Sequence, residues 1–152
     1  MAGTETELFT VGVFQDVGWA EKGLAALQEQ GFSPEELSVI TKDSPEAAAL
    51  AERTFGVAVG TMEIRSLGSV RARGSILAAL QGVDQGLTIR GLAAIADRIG
   101  FQPHDGRIFE TLTLRGGVLV AIMSEARAAD ALAIMHSYGG GNAAIGAWAG
   151  RL

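Results

Sequence analysis

Residues 8–40 read LFTVGVFQDVGWAEKGLAALQEQGFSPEELSVI, and this stretch decides the fold. The apolar run Leu8–Phe14 is typical of a buried strand, and Asp16 stands where a helix N-cap accepts hydrogen bonds from free backbone amides. An apolar stripe at helical spacing follows, Gly31 provides a left-handed stop, and Leu37–Ile40 returns as a strand. The stretch therefore predicts a β-α-β unit.

A second stretch repeats this order near the other end of the chain. Val118–Met123 predicts a strand, Ser124 a helix cap, the following residues a helix to about Tyr138, and Ala143–Trp148 a last strand after three glycines. A shift of 108 positions aligns Asp16 with Ser124, Ala20 with Ala128, Leu24 with Leu132, Ala25 with Ala133, Leu27 with Met135 and Gly31 with Gly139. The alignment indicates an internal repeat, in which Leu24 and Leu132 occupy equivalent buried positions.

Two such units can share one four-stranded antiparallel sheet with both helices on one face, which predicts an α+β, ferredoxin-like pair of β-α-β halves. A small doubly wound parallel sheet is the alternative. We expect a single domain over 1–152, made of a half-module at 7–43, a central insertion at 44–116 and a half-module at 117–152.

The central insertion is glycine-rich and partly helical. Ser44 and Pro45 predict a helix start, Thr88 is the expected cap of a helix that runs to Ile99, and Pro103 can begin another. Residues 56–91 carry seven spaced glycines among small apolar residues, and their structure cannot be predicted from the pattern.

Composition excludes several classes of protein. The 152 residues have a net charge of −5 and no cysteine, so disulfides, iron–sulfur clusters, thiolate metal sites and a cysteine nucleophile are excluded. The acidic balance argues against general nucleic-acid binding. The acidic N-terminus is unlike a signal peptide, and charged residues interrupt every long apolar run, so we expect a cytoplasmic chain without a transmembrane segment.

The chain resembles the bacterial general-stress, or heat-induced stress, protein domain family. The resemblance rests on Val11-Gly12-Val13-Phe14, on Gly31-Phe32, on Glu35-Glu36-Leu37-Ser38-Val39-Ile40, and on the passage from Ile99-Gly100-Phe101 to Gly116-Gly117-Val118-Leu119-Val120. It covers most of the chain in outline. It implies a small α+β module for which the family supplies no catalytic residues.

Two groups of residues are candidate contacts for a ligand or partner. His104, Asp105 and Arg107 combine a group that can transfer protons with neighbouring charges, although the same residues suit the start of a surface helix. Arg65, Arg71 and Arg73 could bind an anionic ligand or an acidic protein surface, or form a solvated face. Nucleophile, phosphate-loop and metal-ligand motifs are absent from the sequence, so no catalytic, cofactor-binding or metal residues are assigned and no cofactor is expected.

These observations favour a non-enzymatic, stress-associated interaction or assembly module. A small-molecule-sensing regulatory domain on a ferredoxin-like fold is the alternative, and an enzyme is the third reading. We expect a homo-oligomer, because the predicted sheet has open edges and a face without helices, while the centre supplies apolar side chains that could pack against a neighbouring subunit. The centre could instead fold over that face within one chain, which would leave a monomer. The partner could be a second copy, another protein or a small anionic ligand.

Overall fold

The computed structural model describes residues 9–56, 60–99, 101–123 and 127–138. Its strands are β1 (Thr10–Phe14), β2 (Leu37–Lys42), β3 (Thr61–Ile64), β4 (Gly68–Arg73) and β5 (Val118–Ile122). Its α-helices are α1 (Val17–Glu29), α2 (Pro45–Phe55), α3 (Ser75–Gln81), α4 (Gly86–Arg90), α5 (Leu92–Ile95), α6 (Pro103–Leu114) and α7 (Ala128–Ser137). Short 3₁₀ helices cover Pro34–Glu36, Gly82–Asp84 and Ala96–Ile99. The chain is therefore α+β, as expected.

The five strands form one sheet in the order β1-β5-β2-β4-β3, and every neighbouring pair is antiparallel. The alternative of a parallel, doubly wound sheet is wrong for these strands. The prediction of four strands also needs correction, because the central insertion adds β3 and β4 beside β2. The fourth predicted strand, Ala143–Trp148, lies outside the described residues, so the ferredoxin-like pair of halves is not confirmed.

Capping residues begin the helices where the sequence predicts them. The Asp16 carboxylate accepts a hydrogen bond from the Trp19 amide at 2.9 Å, and the Ser44 hydroxyl accepts one from the Ala47 amide at 3.0 Å. Pro45 occupies the first turn of α2, where a missing N–H costs nothing. These starts are set by local chemistry, which is why a sequence pattern could find them.

The helix expected after Thr88 differs from the prediction. Thr88 lies inside α4, whose N-cap residue is Gln85, so Thr88 is not the cap of this helix. Its amide donates a hydrogen bond to the Gln81 side chain at 3.0 Å. At Gly91 the backbone has φ +93°, which interrupts the helical path and separates α4 from α5. Leu87 of α4 and Leu92 and Ile95 of α5 still enter one core cluster, so the two pieces pack against the same core.

Helical layers cover both faces of the sheet. On one face α1, α2 and α7 enclose a cluster that includes Phe14, Leu24 and Leu50. On the other face the central insertion supplies α3 to α6, and a second cluster forms around side chains such as Phe109 and Leu80. Burial of one such side chain contributes roughly 1.5–3 kcal/mol. The expected helix-free face is thus wrong, because the centre folds over the sheet of its own chain.

Both side chains are described for three of the six aligned pairs, and in two of these pairs the two residues have the same burial. Leu27 and Met135 are both buried, and Ala25 and Ala133 are both exposed. Leu132 differs, because it is half-buried whereas Leu24 has no exposure. The orientation of α7 turns Ala131 toward the core instead. The pairs that involve Ser124 and Gly139 lie outside the described residues, and so does the side chain of Ala128.

Helix α3 receives its cap from a distant strand. Its N-cap residue, Gly74, has no side chain, but the Ser38 hydroxyl of β2 accepts a hydrogen bond from the Ile76 amide at 3.2 Å. The backbones meet here so closely that a Cβ on Gly74 would lie 2.5 Å from the Ser38 Cα. This contact attaches the central insertion to the middle of the sheet.

Candidate functional site

The connection between α3 and α4 carries an exposed apolar surface with basic neighbours. We call Val83, Ile89, Arg65 and Arg90 the Val83 patch. Val83 is fully exposed, at 107% of its reference area, and Ile89 is 56% exposed. The Arg65 guanidinium donates to the Ile89 carbonyl at 3.5 Å, and Arg90 lies 4.0 Å from the carboxylate of Asp84, the neighbour of Val83. Apolar and basic groups therefore share one short surface segment.

Beneath this patch, Arg98 holds the connection in place. Its Nη1 donates to the backbone carbonyls of Leu80 at 2.8 Å and Gln81 at 3.0 Å, and both of its terminal nitrogens bind the Asp84 carboxylate at 2.9 and 2.7 Å. The Asp84 carboxylate also accepts from the Gly86 amide at 3.2 Å. A bidentate arginine pair of this kind imposes geometry as well as attraction. The exposed valine is therefore carried on a constrained segment.

The ion pair predicts a response of stability to acid. The hydrogen bond from Arg98 lowers the pKa of Asp84 from its ordinary 3.8 to about 2. A carboxylate whose pKa is lower in the folded chain stabilises that chain above its unfolded pKa, and this contribution is lost as the pH falls toward about 2. We expect Asp84→Asn to lower the melting temperature near neutral pH, with the difference from wild type closing between about pH 4 and about pH 2.

Thermal denaturation monitored by circular dichroism across this pH range measures the effect. Glu29→Gln is the matched control, because Glu29 is an exposed carboxylate on α1. This variant removes a surface carboxylate and leaves the Arg98–Asp84 pair intact. A difference for Asp84→Asn that does not narrow in acid would contradict a stabilising role for the ion pair.

The three arginines predicted as one cluster are separated by the sheet. Arg71 and Arg73 lie on the α2 side of β4, where the Arg71 Nε donates to Asp43 Oδ1 at 2.8 Å. The Arg73 guanidinium carbon lies 4.6 Å from the centre of the Phe55 ring. Arg65 follows β3 and contacts α4 on the opposite layer, because side chains alternate between the faces of a strand and the turn redirects the chain.

The second predicted group is also divided. His104 and Arg107 are exposed on the outer side of α6, along a shallow groove of ≈ 250 Å³ that Ile108, Thr111 and Leu112 complete. Asp105 lies on the inner side of the same helix, at 4% exposure. The structure does not bring this carboxylate to the His104 surface. The three residues therefore form no acid–base site in common.

A larger groove of ≈ 480 Å³ lies between α1 and α7. It is lined by Ala26, Glu29, Gln30, Arg127, Asp130, Ala133, Ile134, Ser137 and Tyr138. Arg127 lies over the Phe32 ring at 4.1 Å and approaches Asp130 at 3.6 Å. Arg127 and Asp130 are thus paired with each other, and we assign the groove no chemistry.

Sequence reasoning missed Val83, Ile89 and Phe55. Val83 had a usable signal, because it stands between Gly82 and Asp84 in a segment rich in turn-forming residues, where an apolar side chain has no core to enter. Phe55 had none. It is the last residue of α2, in an apolar stripe, and only the tertiary structure places its ring against Arg73.

Among the described residues, no group of three or more His, Asp or Glu side chains could hold a metal ion. Within the same ranges, no helix is long and apolar enough to cross a membrane. Comparisons of the chain with protein-family models, with curated proteins and with solved structures found no match in any of the three.

Proposed function

We propose that this chain is a non-enzymatic interaction module and that it binds its partner through the Val83 patch. The observation that carries this proposal is a fully exposed valine on a segment that Arg98 constrains. An exposed apolar side chain gains free energy when a partner covers it. A side chain on a constrained segment also loses less conformational entropy on binding than one on a mobile loop.

Further hydrogen bonds support this preorganisation. The Gln81 side chain donates to the Thr88 hydroxyl at 2.8 Å and accepts from the Thr88 amide at 3.0 Å, which joins the end of α3 to α4. Between them Gln85 holds a left-handed conformation with φ +54°, which is uncommon for a residue with a side chain. The connection therefore holds an unfavourable backbone conformation at Gln85 and leaves Val83 exposed to solvent.

The charge of the patch suggests its partner. Arg65 and Arg90 are exposed beside the apolar residues, whereas the chain as a whole carries −5. An acidic surface would be complementary to the patch, and the net charge of −5 favours a second copy of this chain as the partner. We therefore propose homo-oligomeric assembly in the cytoplasm, with the basic patch of one copy against acidic residues of another.

The finer description of the fold belongs to the same proposal. In a ferredoxin-like sheet the first strand of the second half lies between the two strands of the first half, and β5 has this position between β1 and β2. We propose that the two β-α-β halves form this ferredoxin-like arrangement, and the β1-β5-β2 order supports the proposal.

Light scattering after size exclusion tests the assembly. The wild-type chain should show a mass above the 15.7 kDa of one copy, increasing with protein concentration. Val83→Asp should restore the single-chain mass, because a buried unpaired carboxylate opposes the contact. Leu114→Asp is the matched control, since Leu114 is also an exposed apolar residue but lies on α6, outside the Val83 patch. Its mass should equal that of wild type.

Two results would reject the proposal. One is a wild-type mass of 15.7 kDa at every concentration. The other is an oligomer that Val83→Asp leaves intact, which would place the contact elsewhere.

The association with stress rests on the sequence resemblance to general-stress protein domains. From this resemblance we separately expect the amount of this protein in its own cells to rise after heat shock. Quantitative immunoblotting before and after the shift measures this. A constant amount would remove the stress association and leave the interaction proposal to its own test.

A further inference from the structure

Arg73 is a partly buried cation with an unsatisfied donor. Its Nη1 is buried and has no hydrogen-bond partner among the residues that the structure describes. A buried charged donor without an acceptor is costly, because the group has lost its water and gained nothing in exchange. Such a group needs an explanation, which can be a role in binding a ligand.

The Phe55 ring fixes the orientation of this guanidinium. The guanidinium carbon lies 4.6 Å from the ring centre, a distance at which a cation is attracted to the negative face of an aromatic ring. Stacking leaves the edge of the planar guanidinium, where its N–H donors point, available for hydrogen bonds. The side chain is thus oriented as a donor.

Arg71 adds positive charge on the same face. The two arginines are alternate residues of β4, so their Cα atoms lie about 7 Å apart and both side chains leave the sheet on the α2 side. The carboxylate of Asp43 pairs with Arg71, at 2.8 Å, and among the described residues no carboxylate forms an ion pair with Arg73. The charge of Arg73 is therefore the uncompensated one.

Other groups near this face account for only part of the arrangement. Phe55 is the last residue of α2, and the negative end of a helix favours a nearby cation. That interaction explains the location of the charge but provides no acceptor for Nη1. The exposed Glu63 of β3 projects from the same face and lies diagonal to Arg71. Its negative charge would weaken the binding of an anion there, and among the described residues it forms no ion pair with Arg73.

We propose that Arg73, with Arg71 beside it, binds the phosphoryl group of a small phosphorylated molecule. Tetrahedral phosphate oxygens offer several acceptors, and a guanidinium presents donors in the matching fork geometry. This site lies on the opposite layer from the Val83 patch. It is independent of the interaction proposal and would make the module responsive to a ligand.

Inorganic pyrophosphate is the probe for this site. Isothermal titration of the wild-type chain at constant ionic strength should show saturable binding at one site, and the melting temperature should rise with pyrophosphate concentration. Arg73→Gln should weaken binding by about tenfold or more, since a charge-assisted hydrogen bond is lost. Arg73→Lys should recover only part of it, because lysine keeps the charge but not the fork.

Two further variants complete the design. Arg107→Gln is the matched control, because Arg107 is an exposed arginine on the other layer, and it should bind pyrophosphate as wild type does. Asp43→Asn leaves Arg73 intact and removes a negative charge beside Arg71, so binding should become tighter. This variant keeps the test informative if Arg73→Gln fails to fold.

Three outcomes would overturn the proposal. The first is the absence of any heat of binding and any thermal shift with millimolar pyrophosphate. The second is wild-type affinity in a folded Arg73→Gln chain. The third is an unchanged affinity for pyrophosphate in Asp43→Asn together with a loss of affinity in Arg107→Gln equal to that in Arg73→Gln. This result would indicate general attraction of anions to the surface.

Discussion

Replacement of Gly74 by alanine is expected to destabilise the chain by roughly 3–5 kcal/mol, the combined cost of backbone strain and overpacking. Gly74 has φ +117° and ψ 172°, a conformation that is essentially restricted to glycine. The added Cβ would also lie 2.5 Å from the Ser38 Cα, and a backbone atom in the middle of the sheet cannot move aside. The start of α3 would be forced away from β2, and the Ser38 cap would be lost.

Urea unfolding monitored by circular dichroism measures this loss. Gly56→Ala is the matched control, because Gly56 is also left-handed, with φ +73°, but an added Cβ there meets no atom within 4 Å. It should cost about 1 kcal/mol, the strain alone. If both substitutions cost the same, close approach to Ser38 would not be what requires glycine at position 74.

Leu24→Ala should cost roughly 2–5 kcal/mol, because it removes a completely buried side chain between α1 and the sheet and leaves a cavity. Leu132→Ala should cost less than half as much, since Leu132 is half-buried and water can enter the space. The same unfolding measurement compares the two. Equal losses would indicate that the two leucines are equivalent, as the sequence alignment suggests, and would contradict the orientation of α7.

Elements with a local signal could be predicted from the sequence. These are the strand before Asp16, the helix after Ser44 and the helix that begins at Pro103. Their signals are apolar periods, the Ser44 cap and a proline in the first turn of each helix, all contained within about a dozen residues. The structure confirms all three. Such signals survive because they act within one element, whatever the rest of the chain does.

Elements that depend on distant partners could not be predicted in the same way. Strands β3 and β4 are short and rich in polar residues, and they pair beside β2 only because the rest of the sheet is present. The cap of α3 comes from Ser38, which is 38 positions from the amide it binds. A local pattern contains neither relation.

The candidate sites divide in the same manner. Arg71 and Arg73 share a face as alternate residues of β4, but the sequence grouped them with Arg65 only because the three lie close together in the chain. It could not separate them from Arg65, nor bring Phe55 against Arg73, since both relations depend on how α2 packs on the sheet.

The sequence by itself determined the α+β class, the capped helices and the apolar strands, because backbone hydrogen bonding and hydrophobic periodicity are local. Only the tertiary structure decided that the central insertion covers its own sheet, that Val83 remains exposed and that Arg73 stacks on Phe55. These features depend on which surfaces meet after the elements have formed. Their energies come from burial and contact between segments far apart in the chain, which no window of sequence records.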